Sequence, residues 1–147
     1  MFADLGFRHY SLKEPSTKTL SEIEEFNPKV DSLFKDTILK EFGVPTVLST
    51  WLVRDGYGLT SDVVAVDFNG YTGYYIGKHL YFINPGLKNE TIASITEKIE
   101  SEGSFNPENV VLFGYSFLWT EIEALKNNLA RLRDSEKNLR INFDLRY

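Results

Sequence analysis

Residues 63–83 read VVAVDFNGYTGYYIGKHLYFI: three short runs rich in β-branched and aromatic residues, with a glycine-containing pair at each break. Asn69-Gly70 supplies the two positive φ angles of a type I′ turn, the strongest short-range hairpin signal. Gly77-Lys78 fits a type II′ turn, which needs glycine only at its first central position. The stretch therefore predicts a three-stranded antiparallel meander over residues 63–68, 71–76 and 79–83, stopped by Asn84-Pro85-Gly86.

Downstream the period changes from two to 3.6. From about Glu90 to Ser101, Ile92, Ile95 and Ile99 line one face, with Asn89 placed to cap the helix and Gly103 to close it. A second apolar run follows in NVVLFGYSFLWT, residues 109–120. Its first five residues read as a strand, and the next helix is expected to start at Thr120. Thr120 and Glu123 have the spacing of a capping box, and Ile122, Leu125, Leu129 and Leu132 form the buried stripe. The last stretch, LRINFDLRY at residues 139–147, alternates without error. Leu139, Ile141, Phe143, Leu145 and Tyr147 face one way, and Arg140, Asn142, Asp144 and Arg146 the other, as in a half-buried strand near a sheet edge. Strand, helix and strand over 109–146 make a β-α-β unit, so these two strands are expected to be parallel with a right-handed crossover.

Upstream, residues 6–12 alternate weakly as a strand would, and the polar stretch 13–26 reads as a surface connection. Asn27-Pro28 is a good helix start, Asn at the cap and Pro in the first turn. Val30, Leu33, Phe34, Ile38 and Phe42 then share a face until Gly43. Pro45 opens another helical stretch carrying Val47, Leu48, Trp51 and Leu52, broken by RDGYG at 54–58, where Asp55 is placed to bond nearby backbone. The fold class is α/β: a mixed sheet, meander then β-α-β unit, with helices packed on it. At 147 residues the chain is read as a single domain, with a peripheral segment 1–26, a helical segment 27–54 and a sheet core 63–147.

No run approaches the ~18 apolar residues that span a bilayer, and the first residues lack a signal-peptide pattern. The absence of cysteine excludes disulfides and thiolate metal sites and fits a cytoplasmic protein. The net charge of −5 argues against a free-standing nucleic-acid binder. The charge is uneven, however. Residues 126–147 hold six of the 16 basic and three of the 21 acidic residues, leaving 10 against 18, a net −8, in the first 125.

Ser116 stands two residues after Gly114, the beginning of the G-x-S-x-G elbow that lifts a nucleophile above a sheet. The second glycine is missing, since position 118 is Leu, and the two histidines, His9 and His79, both precede the serine. A strand-to-helix turn is the better reading. Neither phosphate-binding glycine pattern occurs, the histidines have no metal-ligand spacing, and no carboxylate pair stands out as an acid/base couple. Tyrosine and tryptophan are abundant, as in a core or a protein interface. The residues alone thus point to a binding or assembly module.

Four segments resemble one family: WLVRDGYGL (51–59), HLYFINPG (79–86), NPENVVLFGYSFLWTEIEALKNNLARL (106–132) and INFDLRY (141–147) are similar to the C-terminal region of the modification (Mod) subunit of type III restriction-modification systems. The resemblance implies a separated C-terminal domain of a bacterial DNA methyltransferase. The family transfers a methyl group from S-adenosylmethionine to the exocyclic amine of adenine, using an Asp-Pro-Pro-Tyr motif and an F-x-G-x-G motif. Neither occurs here, so no catalytic or cofactor-binding residue carries over, and this chain is not expected to bind a cofactor or to methylate DNA itself. The resemblance also implies its partners: a second Mod subunit in a homodimer, the helicase-nuclease (Res) subunit, and DNA through the parent complex. Arg131, Arg133, Lys137, Arg140 and Arg146, with Trp51, Tyr57 and Trp119, are the candidate interface or DNA contacts. The alternative to assembly is an auxiliary DNA-contacting module using the basic C-terminal helix and strand.

Overall fold

A computed structural model describes residues 12, 14, 16, 38–59, 62–133 and 140–147, the side chain of residue 133 excepted. The chain forms two compact units, Met1–Asp62 and Val63–Tyr147. The strand expected over 6–12 and the helix start at Asn27 lie outside the described residues.

In the first unit, residues 38–42 are helical and end at Gly43, whose positive φ of 77° glycine adopts without a Cβ penalty. Helix α1, Val44–Arg54, follows directly, with Pro45 in its first turn and Val47, Leu48, Trp51 and Leu52 buried. RDGYG is its C-cap. The Tyr57 N–H donates to Leu52 O (2.9 Å) and the Gly56 N–H to Val53 O (3.1 Å), with Gly56 at φ 87°. That pair of bonds is a Schellman motif, and it satisfies two carbonyls the helix end leaves open.

The second unit is a five-stranded mixed sheet in the order β1-β2-β3-β4-β5. Strands β1 (Val64–Phe68), β2 (Tyr71–Ile76) and β3 (His79–Phe82) are the expected antiparallel meander. Asn69 and Gly70 both have positive φ, 54° and 87°, as the type I′ turn demands, and Gly77 has φ 55°. Strand β4 (Asn109–Phe113) pairs parallel with β3 and with β5 (Asn142–Arg146), so helices α2 (Asn89–Ser101) and α3 (Trp119–Arg133) are both crossover helices. Successive right-handed crossovers in one direction put both helices on one face of the sheet. Ile92, Ile95 and Ile99 of α2 and Ile122, Leu125, Leu129 and Leu132 of α3 pack there with Phe68, Leu80, Phe82, Val110 and Leu112.

Three local expectations need correction. Asn89 does not cap α2; the cap position is Lys88, with no side-chain hydrogen bond, and Asn89 is already helical. Gly103 does not close that helix, which ends at Ser101 with Glu102 in extended backbone. Thr120 does not cap α3 either. The helix starts at Trp119, and the Glu121 carboxylate accepts the Leu118 N–H at 2.7 Å. This is the reaching-back half of a capping box, which needs no side-chain oxygen on residue 118.

Gly73 of β2 has a packing reason. A Cβ at residue 73 would lie 2.8 Å from the Phe82 ring and 2.9 Å from the Phe68 ring. Without one, those two fully buried rings meet edge to face, 5.9 Å between centroids.

Candidate functional site

In sheets with parallel strands and crossover helices, function gathers at the carboxyl ends of the strands. Here β4 leaves the sheet at Gly114, makes a single 3₁₀ turn over Gly114–Ser116, and passes through Phe117 and Leu118 into α3. Ser116 is only 6% exposed, and its hydroxyl donates to Ile83 O at 2.5 Å. The serine ties the end of β4 to the end of β3. His79 opens β3 beside Asn109 at the other end of the sheet, stacked on Tyr81, and at least about 13 Å of strand separates that level from Phe113. The pair is no nucleophile and base.

Polar groups nearby are used in the same way. The buried Tyr71 hydroxyl donates to Asn84 O at 2.5 Å, holding the Asn84-Pro85-Gly86 turn. Burial pushes its pKa well above the tyrosine range, and the Glu121 carboxylate and Tyr74 push the same way. Tyr147 lies over Gly114: a Cβ there would fall within 2.8 Å of three atoms of its ring. Tyr115 meets Tyr147 edge-on at 5.3 Å and Phe113 at 5.4 Å. Burial, and then Tyr147, raise the Tyr115 pKa as well. Among the described residues no buried side-chain polar atom lacks a partner, and no group of acidic, histidine or cysteine side chains could hold a metal ion.

Apolar groups at this end are left outside. Leu118 is 54% exposed and Trp119 68%. Lys126 lies 5.7 Å from the Trp119 ring centroid and 3.8 Å from the Glu123 carboxylate. The lysine is thereby committed within its own helix.

The eight candidate contacts are spread over both units and several elements. Arg131 and Arg140 are exposed. Trp119 and Arg131 stand at opposite ends of α3, twelve residues or about 18 Å apart. Trp51 and Tyr57 belong to the first unit, where Trp51 is buried and Tyr57 half-buried. Lys137 and the side chain of residue 133 lie outside the described residues. Arg146 is the clearest correction. The alternation placed it on the solvent side of β5, yet it is only 7% exposed, and its Nε donates to the Asp144 carboxylate at 2.6 Å. It pairs with Phe113, and Val111 and Phe113 are as buried as Val110 and Leu112 on the helix-covered face. The unbroken apolar run at 110–113 was the signal: a strand without alternation is buried on both faces. The guanidinium beside it is largely shielded from solvent.

This topology, three antiparallel strands continued by two parallel ones with two crossover helices, defines the second unit as an α/β domain with a mixed five-stranded sheet. Residues 42–139 match the family described as the type III R-M EcoP15I C-terminal domain, and the chain belongs to it. It is 32% identical over 108 residues to the Mod subunit of the type III restriction-modification enzyme EcoPI from Escherichia phage P1, covering 68% of this chain and 17% of that protein. To the StyLTI Mod subunit of Salmonella typhimurium it is 31% identical over 163 residues, 93% of this chain and 25% of that protein. To the EcoP15I Mod subunit of Escherichia coli it is 32% identical over 120 residues, 78% and 17%. The chain thus spans between 17% and 25% of the length of these relatives.

Proposed function

We propose that this chain is a non-catalytic assembly domain of a type III modification subunit, holding Mod to a second Mod subunit, to the Res helicase-nuclease subunit, or to both. One observation carries the reading. At the carboxyl ends of the parallel strands the polar side chains are spent on the domain's own backbone, while Leu118 and Trp119 face solvent. A reactive site needs polar groups aimed at a substrate; an interface core needs exposed apolar and aromatic ones. In this proposal the parent methyltransferase, in the bacterial cytoplasm, holds S-adenosylmethionine and its DNA base elsewhere, and this chain supplies no ligand to either. No described helix is long and apolar enough to cross a membrane.

The DNA-contacting alternative would use Arg131, Arg133, Lys137 and Arg140, and is favoured less at Arg146, which is largely buried and paired with Asp144. A tagged chain mixed with purified Mod and Res subunits, and separately with duplex DNA, tests the two. Retention of Mod or Res at physiological salt, with no DNA binding at about 50 mM salt, is the expected outcome. Salt-sensitive DNA binding without retention of either subunit sinks the assembly reading in favour of the alternative.

A further inference from the structure

Strand β1 is one edge of the sheet, and among the described residues no strand lies outside it. The two-residue turn at Asn69-Gly70 fixes which of its peptide groups are free. In such a hairpin the residues flanking the turn, Phe68 and Tyr71, form a hydrogen-bonded pair, and alternate pairs repeat the pattern. Val66 and Val64 therefore bond inward to β2, opposite Gly73 and Tyr75. Ala65 and Asp67 direct their N–H and C=O groups away from the sheet.

Exposed edges are ordinarily guarded by lysine, proline, a bulge or a covering segment. Strand β1, Val-Ala-Val-Asp-Phe, has no lysine or proline and pairs with β2 in unbroken register. Val64 is 58% exposed and Ala65 is exposed beside it. The other edge, β5, carries Asp144 and Arg146.

We propose that the β1 edge is a pairing surface for β1 of a second copy of this chain, antiparallel about a two-fold axis, joining the two sheets into one. This rests on the assembly reading and names the surface through which like subunits meet. The register that overlaps all five residues puts Val66 on the axis. Each Ala65 then exchanges both of its hydrogen bonds with Asp67 of the second copy. Val66 meets Val66, and the exposed Val64 sits opposite Phe68. The strand's one charge, Asp67, faces a small neutral residue. A register slipped by two towards the turn would set the Asp67 carboxylates face to face, which opposes pairing. The strand is therefore complementary to itself. A five-residue edge is less than the ~1,000 Å² of a tight interface, so the association is concentration-dependent.

Sedimentation of the chain up to its solubility limit, with hydrogen exchange at the Ala65 and Asp67 amides, tests the proposal. Ala65→Pro removes only the outward donor and is tolerated on an edge strand; Ala65→Lys installs the missing guard and decides the matter if the proline variant does not fold. Expected are a monomer–dimer equilibrium, protection of both amides rising with concentration, and a dissociation constant raised about tenfold or more in the variants at unchanged circular dichroism. A dimer indifferent to both substitutions overturns the edge and leaves assembly through another surface. A chain monomeric at every concentration overturns the edge and self-association together, leaving contact with Res. Growth past the dimer overturns the two-fold in favour of head-to-tail pairing of β1 with β5.

Discussion

Substituting Gly73 by alanine adds one methyl group at the most crowded point of the sheet. The new Cβ would stand 2.8 Å from Phe82 Cε1 and 2.9 Å from Phe68 Cε2, where carbon atoms prefer about 3.5–4.0 Å. Neither ring can retreat into solvent, since both are fully buried. Behind Phe68 stands Phe105, centroids 5.9 Å apart, and behind Phe82 stands Tyr71 at 5.7 Å. Overpacking of this kind costs about 1–3 kcal/mol. Gly73 does not have positive φ, so alanine fits its backbone and returns about 0.4–1 kcal/mol by stiffening the unfolded chain. The net expectation is a loss of about 1–2 kcal/mol, or a Tm lower by roughly 2–8 °C for a chain of this length. Urea and thermal unfolding followed by far-UV circular dichroism measure it. The double variant Gly73→Ala/Phe82→Leu checks the cause: if the clash is with the Phe82 ring, the two losses sum to more than the double variant shows. A Gly73→Ala protein as stable as the parent, or strict additivity with Phe82→Leu, would refute the packing argument.

Ser116→Ala leaves Ile83 O without its hydroxyl donor in a buried turn and lowers stability by about 1–3 kcal/mol in a urea melt; no loss of stability would mean the hydroxyl is free for other work. Arg146→Gln gives up a buried charged hydrogen bond and costs about 1–3 kcal/mol, whereas the exposed Arg131→Gln stays within about 0.5 kcal/mol; equal effects would place Arg146 at the surface after all. Tyr71 and Tyr115 both have raised folded-state pKa values, so their neutral forms are favoured by folding. Their contribution is complete below about pH 10, where unfolded tyrosine begins to ionise, and is lost as pH rises above it. Urea midpoints measured between about pH 9 and 11 should fall with pH, and Tyr71→Phe, though less stable at neutral pH, should flatten the slope; an unchanged slope in that variant rules out Tyr71 as its source.

Much of the second unit was legible because its sequence signals are local. Asn69-Gly70 can adopt its two positive φ angles cheaply in one kind of turn, and that turn sets the register of the hairpin. The stripes Ile92–Ile95–Ile99 and Ile122–Leu125–Leu129–Leu132 hold because helical spacing alone decides which side chains share a face. The misreadings involve a choice between neighbouring local options or a contact across the sheet. Thr120/Glu123 and Leu118/Glu121 both have capping spacing, and nothing local says that the carboxylate of Glu121, rather than the hydroxyl of Thr120, sets the helix start. Arg146 fits the outward half of a perfect alternation, but its burial is decided by β4, more than thirty residues away in sequence. For the candidate site, the missing second glycine after Ser116 favoured a strand-to-helix turn, and a 3₁₀ turn at Gly114–Ser116 does lead from β4 towards α3. The serine's bond to Ile83 and the seat of Tyr147 on Gly114 join residues 33 apart, and no spacing rule foretells them. The basic residues read as one patch in a linear string; in space Arg131 stands at a helix end and Arg146 is paired inside.

The claim that this domain assembles subunits without reacting on a substrate is tested most directly by sedimentation velocity of the purified chain, alone and mixed with purified Mod and Res subunits. The account predicts that it self-associates or moves into a faster boundary with at least one of them. A chain that sediments as a monomer in every mixture, at concentrations well above those of the full enzyme, would contradict it.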